Sequence, residues 1–124
     1  MEHPQKKTMV CVTVQRNCER LIHEGAKLSG DEALHVVHVV RTGGTVLGGG
    51  NDSEALDYLF QVSRQFGAEM DMLRSDDVFE TIAKFARKNS IGYLVIGAPP
   101  MDSPVDVGSL LRGMLPSVKV FVIP

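Results

Sequence analysis

Five glycines lie within eight residues, at positions 43, 44, 48, 49 and 50, between an apolar run and a helical pattern. A glycine-rich turn at such a place can hold a phosphate with its main-chain amides. A P-loop requires Lys and then Ser or Thr after its last glycine, and Gly49 and Gly50 occupy those positions here. A Rossmann loop follows the first strand, whereas these glycines follow the second. The spacing favours a turn whose glycines supply positive φ angles, with a mobile flap beside a binding crevice as the alternative.

Histidine and cysteine are the other residues with chemical potential. His35 and His38 are three apart on a predicted strand, so their side chains point to opposite faces and pack and bond locally rather than chelate together. Cys11 and Cys18 lack CxxC or metal-ligand spacing. Cys11 falls in a strand pattern, and Cys18 begins a helix, where the dipole could lower the thiol pKa. The sequence therefore predicts no catalytic residue, no metal site and no enzyme.

The composition is that of one soluble domain. Of the 124 residues, 44% are hydrophobic and 23% charged, and the formal net charge is -2. This balance excludes the basic footprint of a nucleic-acid binder. No apolar run approaches the ~20 residues of a membrane span, and the first residues hold no apolar stretch of signal-peptide length. We expect a single cytoplasmic domain over residues 1–124, with its core at about 8–123.

Apolar runs alternate with helical patterns along the whole chain. The predicted strands lie at about 8–14, 34–40, 69–74, 93–97 and 118–123. The predicted helices lie at about 17–29, 53–66, 75–89 and 106–115, with caps at Asn17, at Asn51 or Ser53, and at Asp77. Strands joined by helices make right-handed crossovers and a parallel sheet covered on both faces. The predicted fold is α/β, a doubly wound, flavodoxin-like sheet of five parallel strands in the order 3-2-1-4-5.

Ligands of such sheets bind beyond the carboxyl ends of the strands, where the strand order reverses. Here that point lies between strands 1 and 4, so the important loops are 14–17 and 97–109, with 41–52 beside them. Arg16, Arg41 and Arg74 follow strands 1, 2 and 3 and could hold a small anion at this rim. The favoured interpretation is that they are solvated arginines at strand ends, which tolerate such residues freely, and the anion site is the alternative.

Three stretches resemble the universal stress protein family. They are SDDVFETIAKFARKNSIGYLVIG at 75–97, LHVVHV at 34–39 and GSLLRGMLPSVKVFVI at 108–123, in the family's order over about residues 8–123. The segment VCVTVQRNCERLIHEGAKL also looks like the stress-protein-like module of potassium-sensing histidine kinases. The resemblance implies an adenine-nucleotide α-hydrolase-like fold and a regulatory role in stress responses. A partner-binding sensor module is the alternative that the kinase resemblance implies.

Nucleotide-binding members of that family place an Asp at the end of strand 1 and the pattern G-x2-G-x9-G-[ST] after strand 4. Thr13, Val14 and Gln15 stand at the first place, Gly97 matches the first glycine, and Pro100 replaces the second. The pair Gly108-Ser109 comes two residues early, and the loop carries Asp102 and Asp106, which disfavour a triphosphate. The resemblance therefore implies no conventional ATP site. The alternative that it leaves open is ATP/Mg or another adenine nucleotide on a divergent loop, with slow ATP hydrolysis. The ligand-binding candidates are Thr13, Val14, Gln15, Arg16, Val39, Arg41, Gly97, Ser103, Gly108 and Ser109.

The last predicted strand lies at an edge of the sheet, where Val118, Val120 and Val122 alternate with Lys119 and two other residues. An apolar edge invites pairing with another chain. Universal stress proteins commonly dimerise through this strand, so the resemblance implies a homodimer, with covering of the edge within the monomer as the alternative. We expect no nucleic-acid partner and no membrane insertion, and a regulatory protein partner is possible on the sensor-module reading.

Overall fold

A five-stranded parallel sheet organises the protein, whose computed structural model describes residues 7–13, 15–48, 50–99 and 106–124. The strands are β1 Thr8–Cys11, β2 Leu34–Val40, β3 Glu69–Arg74, β4 Tyr93–Gly97 and β5 Lys119–Ile123. The helices are α1 Gln15–Ser29, α2 Asp52–Gln65, α3 Val78–Lys88 and α4 Val107–Met114, and a short 3-10 turn spans Val46–Gly48. The strand order is β3-β2-β1-β4-β5, which confirms the predicted topology.

Successive side chains of the central strands belong to two separate hydrophobic cores, one on each face of the sheet. Val10 and Val36 belong to the core beneath α1 and α2, whereas Met9 and Val37 belong to the core beneath α3 and α4. All four are fully buried. Because neighbouring residues of a strand point to opposite faces, a sheet covered on both sides needs apolar residues at every position. The runs TMVC and LHVVHVV meet that need except at the buried polar residues Thr8, His35 and His38.

The junction between β1 and α1 differs from the prediction. β1 ends at Cys11 rather than near residue 14, and α1 begins at Gln15, so Asn17 lies inside the helix and is not its cap. The Val12 amide still donates to the Val37 carbonyl oxygen at 3.0 Å, but the Val12 carbonyl lies 2.8 Å from the His38 imidazole. The His38 side chain thus occupies the Val12 carbonyl oxygen, which would otherwise accept the next hydrogen bond between strands, and the chain leaves the sheet at this residue.

The other element boundaries agree with the prediction to within a few residues. Asn51 caps α2, where its Oδ1 accepts from the Glu54 amide at 3.1 Å, and Asp77 caps α3 by accepting from the Glu80 amide at 3.2 Å. The last strand begins at Lys119, so Val118 lies in the turn before it. Each cap satisfies one of the donors that a helix start leaves unpaired.

The glycine loop contains a buried turn that the sequence did not predict. Val46 and Leu47 are both buried, and the 3-10 turn that they begin packs against the core beneath α1 and α2. Gly43 has the positive φ expected of a loop glycine, at 81°, but Leu47 also has a positive φ, at 55°. The loop is therefore anchored to the domain by apolar side chains as well as shaped by glycine.

Candidate functional site

A cleft of about 510 Å³ opens at the carboxyl ends of β1, β2 and β4, between the first turns of α3 and α4. This is the point at which the strand order reverses, since β1 lies between β2 and β4. The residues that line the cleft are Cys11, Thr13, Leu21, His38, Val39, Val40, Arg41, Gly44, Thr45, Val78, Phe79, Ile82, Ile96, Gly97, Ala98, Pro99, Val107 and Leu111. Its position agrees with the general rule for ligand sites of open α/β sheets.

The lining is mostly apolar, with a few polar groups at the mouth. Val39, Ile82 and Leu111 come from a strand and two helices and belong to the core beneath α3 and α4. Thr13 and Arg41 are exposed. Small-molecule sites in proteins have this composition, in which apolar walls bury most of the ligand and a few polar groups orient it.

The structure brings four of the predicted ligand-binding residues to this cleft. Thr13, Val39, Arg41 and Gly97 line it. The residues Val14 and Ser103, like Pro100 and Asp102 of the same loop, lie outside the described residues. Gln15 and Arg16 form the start of α1, and their side chains also lie outside the described part. Ligand binding by all of these residues stays a prediction.

Gly108 and Ser109 lie in the first turn of α4, which is closed by the helix's own cap. The Asp106 carboxylate accepts from the Ser109 amide at 3.1 Å with one oxygen and from the Ser109 hydroxyl at 2.9 Å with the other. These bonds from Ser109 lower the pKa of Asp106, so the carboxylate is ionised at neutral pH. A negative charge therefore already occupies the helix N-terminus that would otherwise attract a phosphate.

The predicted arginine rim is only partly assembled. Arg41 lines the cleft, and its Nη1 donates to the Asp76 carbonyl oxygen at 3.2 Å. Arg74 instead lies against α2, with its Nη2 3.9 Å from Asp52 Oδ2. Of the three rim arginines the structure describes the side chains of Arg41 and Arg74, and because only Arg41 lines the cleft, these two do not converge on a shared anion site.

His38 and the first turn of α3 are cleft residues that the sequence analysis missed. Local bonding of His38, which was predicted, is confirmed by its 2.8 Å contacts with the Val12 carbonyl and the Leu47 amide. Its place at the cleft was not predicted. The topology could have predicted the place of α3 at the cleft. A helix that follows a parallel strand begins at the carboxyl edge of the sheet, and α3 follows β3.

The two thiols are buried and unreactive in character. Burial raises the pKa of Cys11 to about 12 and that of Cys18 to about 11. The alternative in which the helix dipole lowers the pKa of Cys18 is therefore contradicted, because burial raises that pKa. Within the described residues no three His, Cys, Asp or Glu side chains are grouped so as to hold a metal ion. None of the described helices is both long and apolar enough to cross a bilayer.

The chain is similar to known proteins in its fold rather than in its sequence. No protein-family model matches the sequence, and no curated protein matches it either. Solved structures do match. The universal stress protein UspA from Lactobacillus plantarum superposes with a TM-score of 0.71 and 14% identity, over 98% of this chain and 100% of that one.

Two further structures in the same group hold nucleotides. A universal stress protein in complex with cAMP matches with a TM-score of 0.65 and 10% identity, over 98% of each chain. The universal stress protein from Archaeoglobus fulgidus in complex with dAMP matches with a TM-score of 0.55 and 22% identity, over 98% of this chain and 100% of that one. The strand order, the crossovers and these matches agree, and the chain has the universal stress protein fold.

Proposed function

We propose that the protein is a non-catalytic regulatory protein of the universal stress protein type, and that it binds a small ligand in the cleft at the carboxyl ends of β1, β2 and β4. The observation that carries the proposal is the apolar lining of that cleft, contributed by residues such as Val39, Ile82 and Leu111. Such walls suit a flat or apolar group of the ligand, held by a few polar contacts at the mouth. A cytoplasmic location and a role in stress responses belong to the same proposal.

An adenine mononucleotide is the ligand that the comparisons favour. Two structural neighbours are complexes with cAMP and dAMP, each of which carries a single phosphate. A base would lie against the apolar walls, and the exposed Thr13 and Arg41 would meet the sugar and phosphate at the mouth. Arg41 would supply the positive charge that a phosphate needs.

Triphosphates should bind less well than monophosphates. The Asp106 carboxylate occupies the amide of Ser109 at the start of α4 and would repel a phosphate chain laid along that helix end. Because the Asp106 carboxylate repels the phosphates of ATP, ATP hydrolysis is not part of the proposed function.

A homodimer through β5 is the oligomeric state that we propose. β5 lies at one edge of the sheet, where Val120 is buried and Val118 and Val122 are half-buried. The outer side of an edge strand has main-chain N–H and C=O groups with which a second copy can pair, and the apolar side chains of β5 would be covered by that pairing. Light scattering should give a mass near twice the 13.5 kDa of the chain, and the mass of one chain at all concentrations would contradict the dimer.

The direct test of the ligand proposal is mass spectrometry of small molecules released when the purified protein is denatured, together with an assay for phosphate release from ATP. We expect a retained small molecule, or binding of added cAMP or dAMP, without phosphate release from MgATP. Turnover of MgATP that the Asp106→Ala variant changes would contradict the non-catalytic proposal and favour a nucleotide-hydrolysing protein.

A further inference from the structure

His38 links the end of β1 to the glycine loop. Its Nδ1 lies 2.8 Å from the Val12 carbonyl oxygen, and the Leu47 amide donates to Nε2 at 2.8 Å. A main-chain amide can only donate, so Nε2 must be free of a proton, and the single ring proton is on Nδ1, which donates to Val12. The two bonds therefore require the neutral imidazole in one defined tautomer.

The segment that His38 holds is strained. Leu47 has φ 55° and ψ 19°, a left-handed conformation that is unfavourable for a residue with a side chain. Two side chains from other elements hold this turn, since Asp52 Oδ1 accepts from the Val46 amide at 2.9 Å and His38 accepts from the next amide. A strained turn persists only when its surroundings fix it, and the imidazole is one of the two fixing groups.

The same turn sets one wall of the cleft. Gly44 and Thr45 precede it directly and line the cleft, as His38 itself does. A displacement of the turn would therefore move that wall. The side chains of Val46 and Leu47 anchor the turn in the core, and the glycines that precede and follow them in sequence give the adjoining chain freedom to follow such a movement.

We propose that His38 is a positioning residue that fixes the glycine loop against the cleft only while its imidazole is neutral, so that acidification releases the loop and reshapes the cleft. A second proton on Nε2 would face the Leu47 N–H, and two donors cannot share a hydrogen bond. The Leu47 amide would then lose its acceptor inside a buried turn, which is unfavourable. The inference goes beyond the proposed function and does not depend on the identity of the ligand.

The surroundings of His38 favour the neutral form. Burial lowers its pKa, and the bond to the Val12 carbonyl acts in the opposite direction more weakly. The titratable or charged side chains described at this end of the sheet include Cys11 on β1, Cys18 on α1, Asp52 and Tyr58 on α2, Arg41 after β2, Arg74 on β3, Asp76 after β3, and the helix caps Asp77 and Asp106. Both thiols and the Tyr58 hydroxyl have raised pKa values and stay neutral, and Asp52 is engaged by Val46 and Arg74.

The sign of the pH effect follows from the lowered pKa. The unfolded chain takes up the proton at its ordinary pKa of about 6.5, whereas the folded protein takes it up only at lower pH. The contribution of neutral His38 is therefore complete above about pH 6.5 and is lost as the pH falls through the folded pKa. The loop should be fixed at neutral pH and released at the lower pH at which His38 of the folded protein takes up its second proton.

NMR on the free protein tests this directly. As the pH is lowered from about 7.5 until the imidazole of His38 takes up its second proton, we expect the protection factor of the Leu47 amide against hydrogen exchange to fall about tenfold or more. The amide shifts of Gly44 and Thr45 should change with the same midpoint as the imidazole of His38. A Leu47 amide that stays protected after His38 is protonated, in a protein that is still folded by circular dichroism, would overturn the proposal.

Two variants separate this titration from general acid effects. His38→Gln retains an acceptor for the loop but cannot be protonated, so the pH-dependent shifts of Gly44 and Thr45 should disappear. His35→Gln is the matched control, since it removes a buried histidine from the same strand on the opposite face, and the wild-type profile should remain. Persistence of the profile in His38→Gln would contradict the proposal. No ligand is present in these experiments, so their outcome is independent of the test of the proposed function.

Discussion

Replacing Gly25 by alanine should destabilise the protein even though alanine is the better helix former. Gly25 lies on the buried face of α1, and a Cβ there would overlap Cγ2 of Val10 and come within 3.2 Å of Leu34 Cδ1. Val10 is fully buried in β1, and a β-branched side chain has little freedom to turn aside. The added methyl group must therefore push α1 away from the sheet.

The magnitude is the difference between two opposing effects. Overpacking a close-packed core by a methyl group costs about 1–3 kcal/mol. The higher helix propensity of alanine raises the free energy of unfolding by up to about 1 kcal/mol. We therefore expect a net loss of about 1–2 kcal/mol in the free energy of unfolding, which for a domain of this size lowers Tm by about 3–8 °C.

Urea and thermal unfolding followed by circular dichroism measure this loss, and Gly113→Ala is the matched control. Gly113 lies in α4 with open space where its Cβ would be, so only the helix-propensity gain applies. That variant should be as stable as the wild type or gain up to about 1 kcal/mol. If Gly25→Ala were as stable as Gly113→Ala, the close approach of α1 and β1 would be refuted, and with it the placement of Leu21 at the cleft.

Three further predictions concern the caps and the thiols. Asp77→Ala removes the acceptor of the Glu80 amide at the start of α3 and should lower the free energy of unfolding by about 1 kcal/mol, measured by urea denaturation. Asp106→Asn keeps a side-chain acceptor but removes the charge at α4, so calorimetry should show tighter binding of MgATP, and unchanged affinity would exclude this charge as the barrier. Cys11 and Cys18 have pKa values of about 12 and about 11, so a thiol reagent near neutral pH should modify them only after unfolding, and rapid modification of either in the native protein would contradict their burial.

The order of elements could be predicted from the sequence because each signal was local. Apolar runs such as LHVVHVV identified buried strands, and Asn51 and Asp77 marked helix starts by their own capping chemistry. These signals need no knowledge of the rest of the chain. The parallel topology then followed from the alternation of strands and helices.

The features that could not be predicted from the sequence depend on contacts between residues that are distant along the chain. Asn17 has the chemistry of a cap, but the helix start is set by the Val12 carbonyl, which turns to an imidazole 26 residues away in sequence. Cys18 lies near a helix start, but its burial against the sheet decides its pKa. The buried turn at Leu47 was hidden among glycines because its amide acceptor, His38, lies on another element.

Calorimetric titration of cAMP and dAMP into two tryptophan variants tests the central claim that the cleft is the ligand site. Ala98→Trp places a large ring at the cleft mouth from an exposed position, and Ala33→Trp places the same ring on an exposed position at the opposite end of the sheet. We predict that the wild type and Ala33→Trp bind at least one of the two nucleotides with equal affinity, more tightly than MgATP, and that Ala98→Trp does not bind it. Binding by Ala98→Trp that matches the wild type would place the ligand elsewhere and contradict the account.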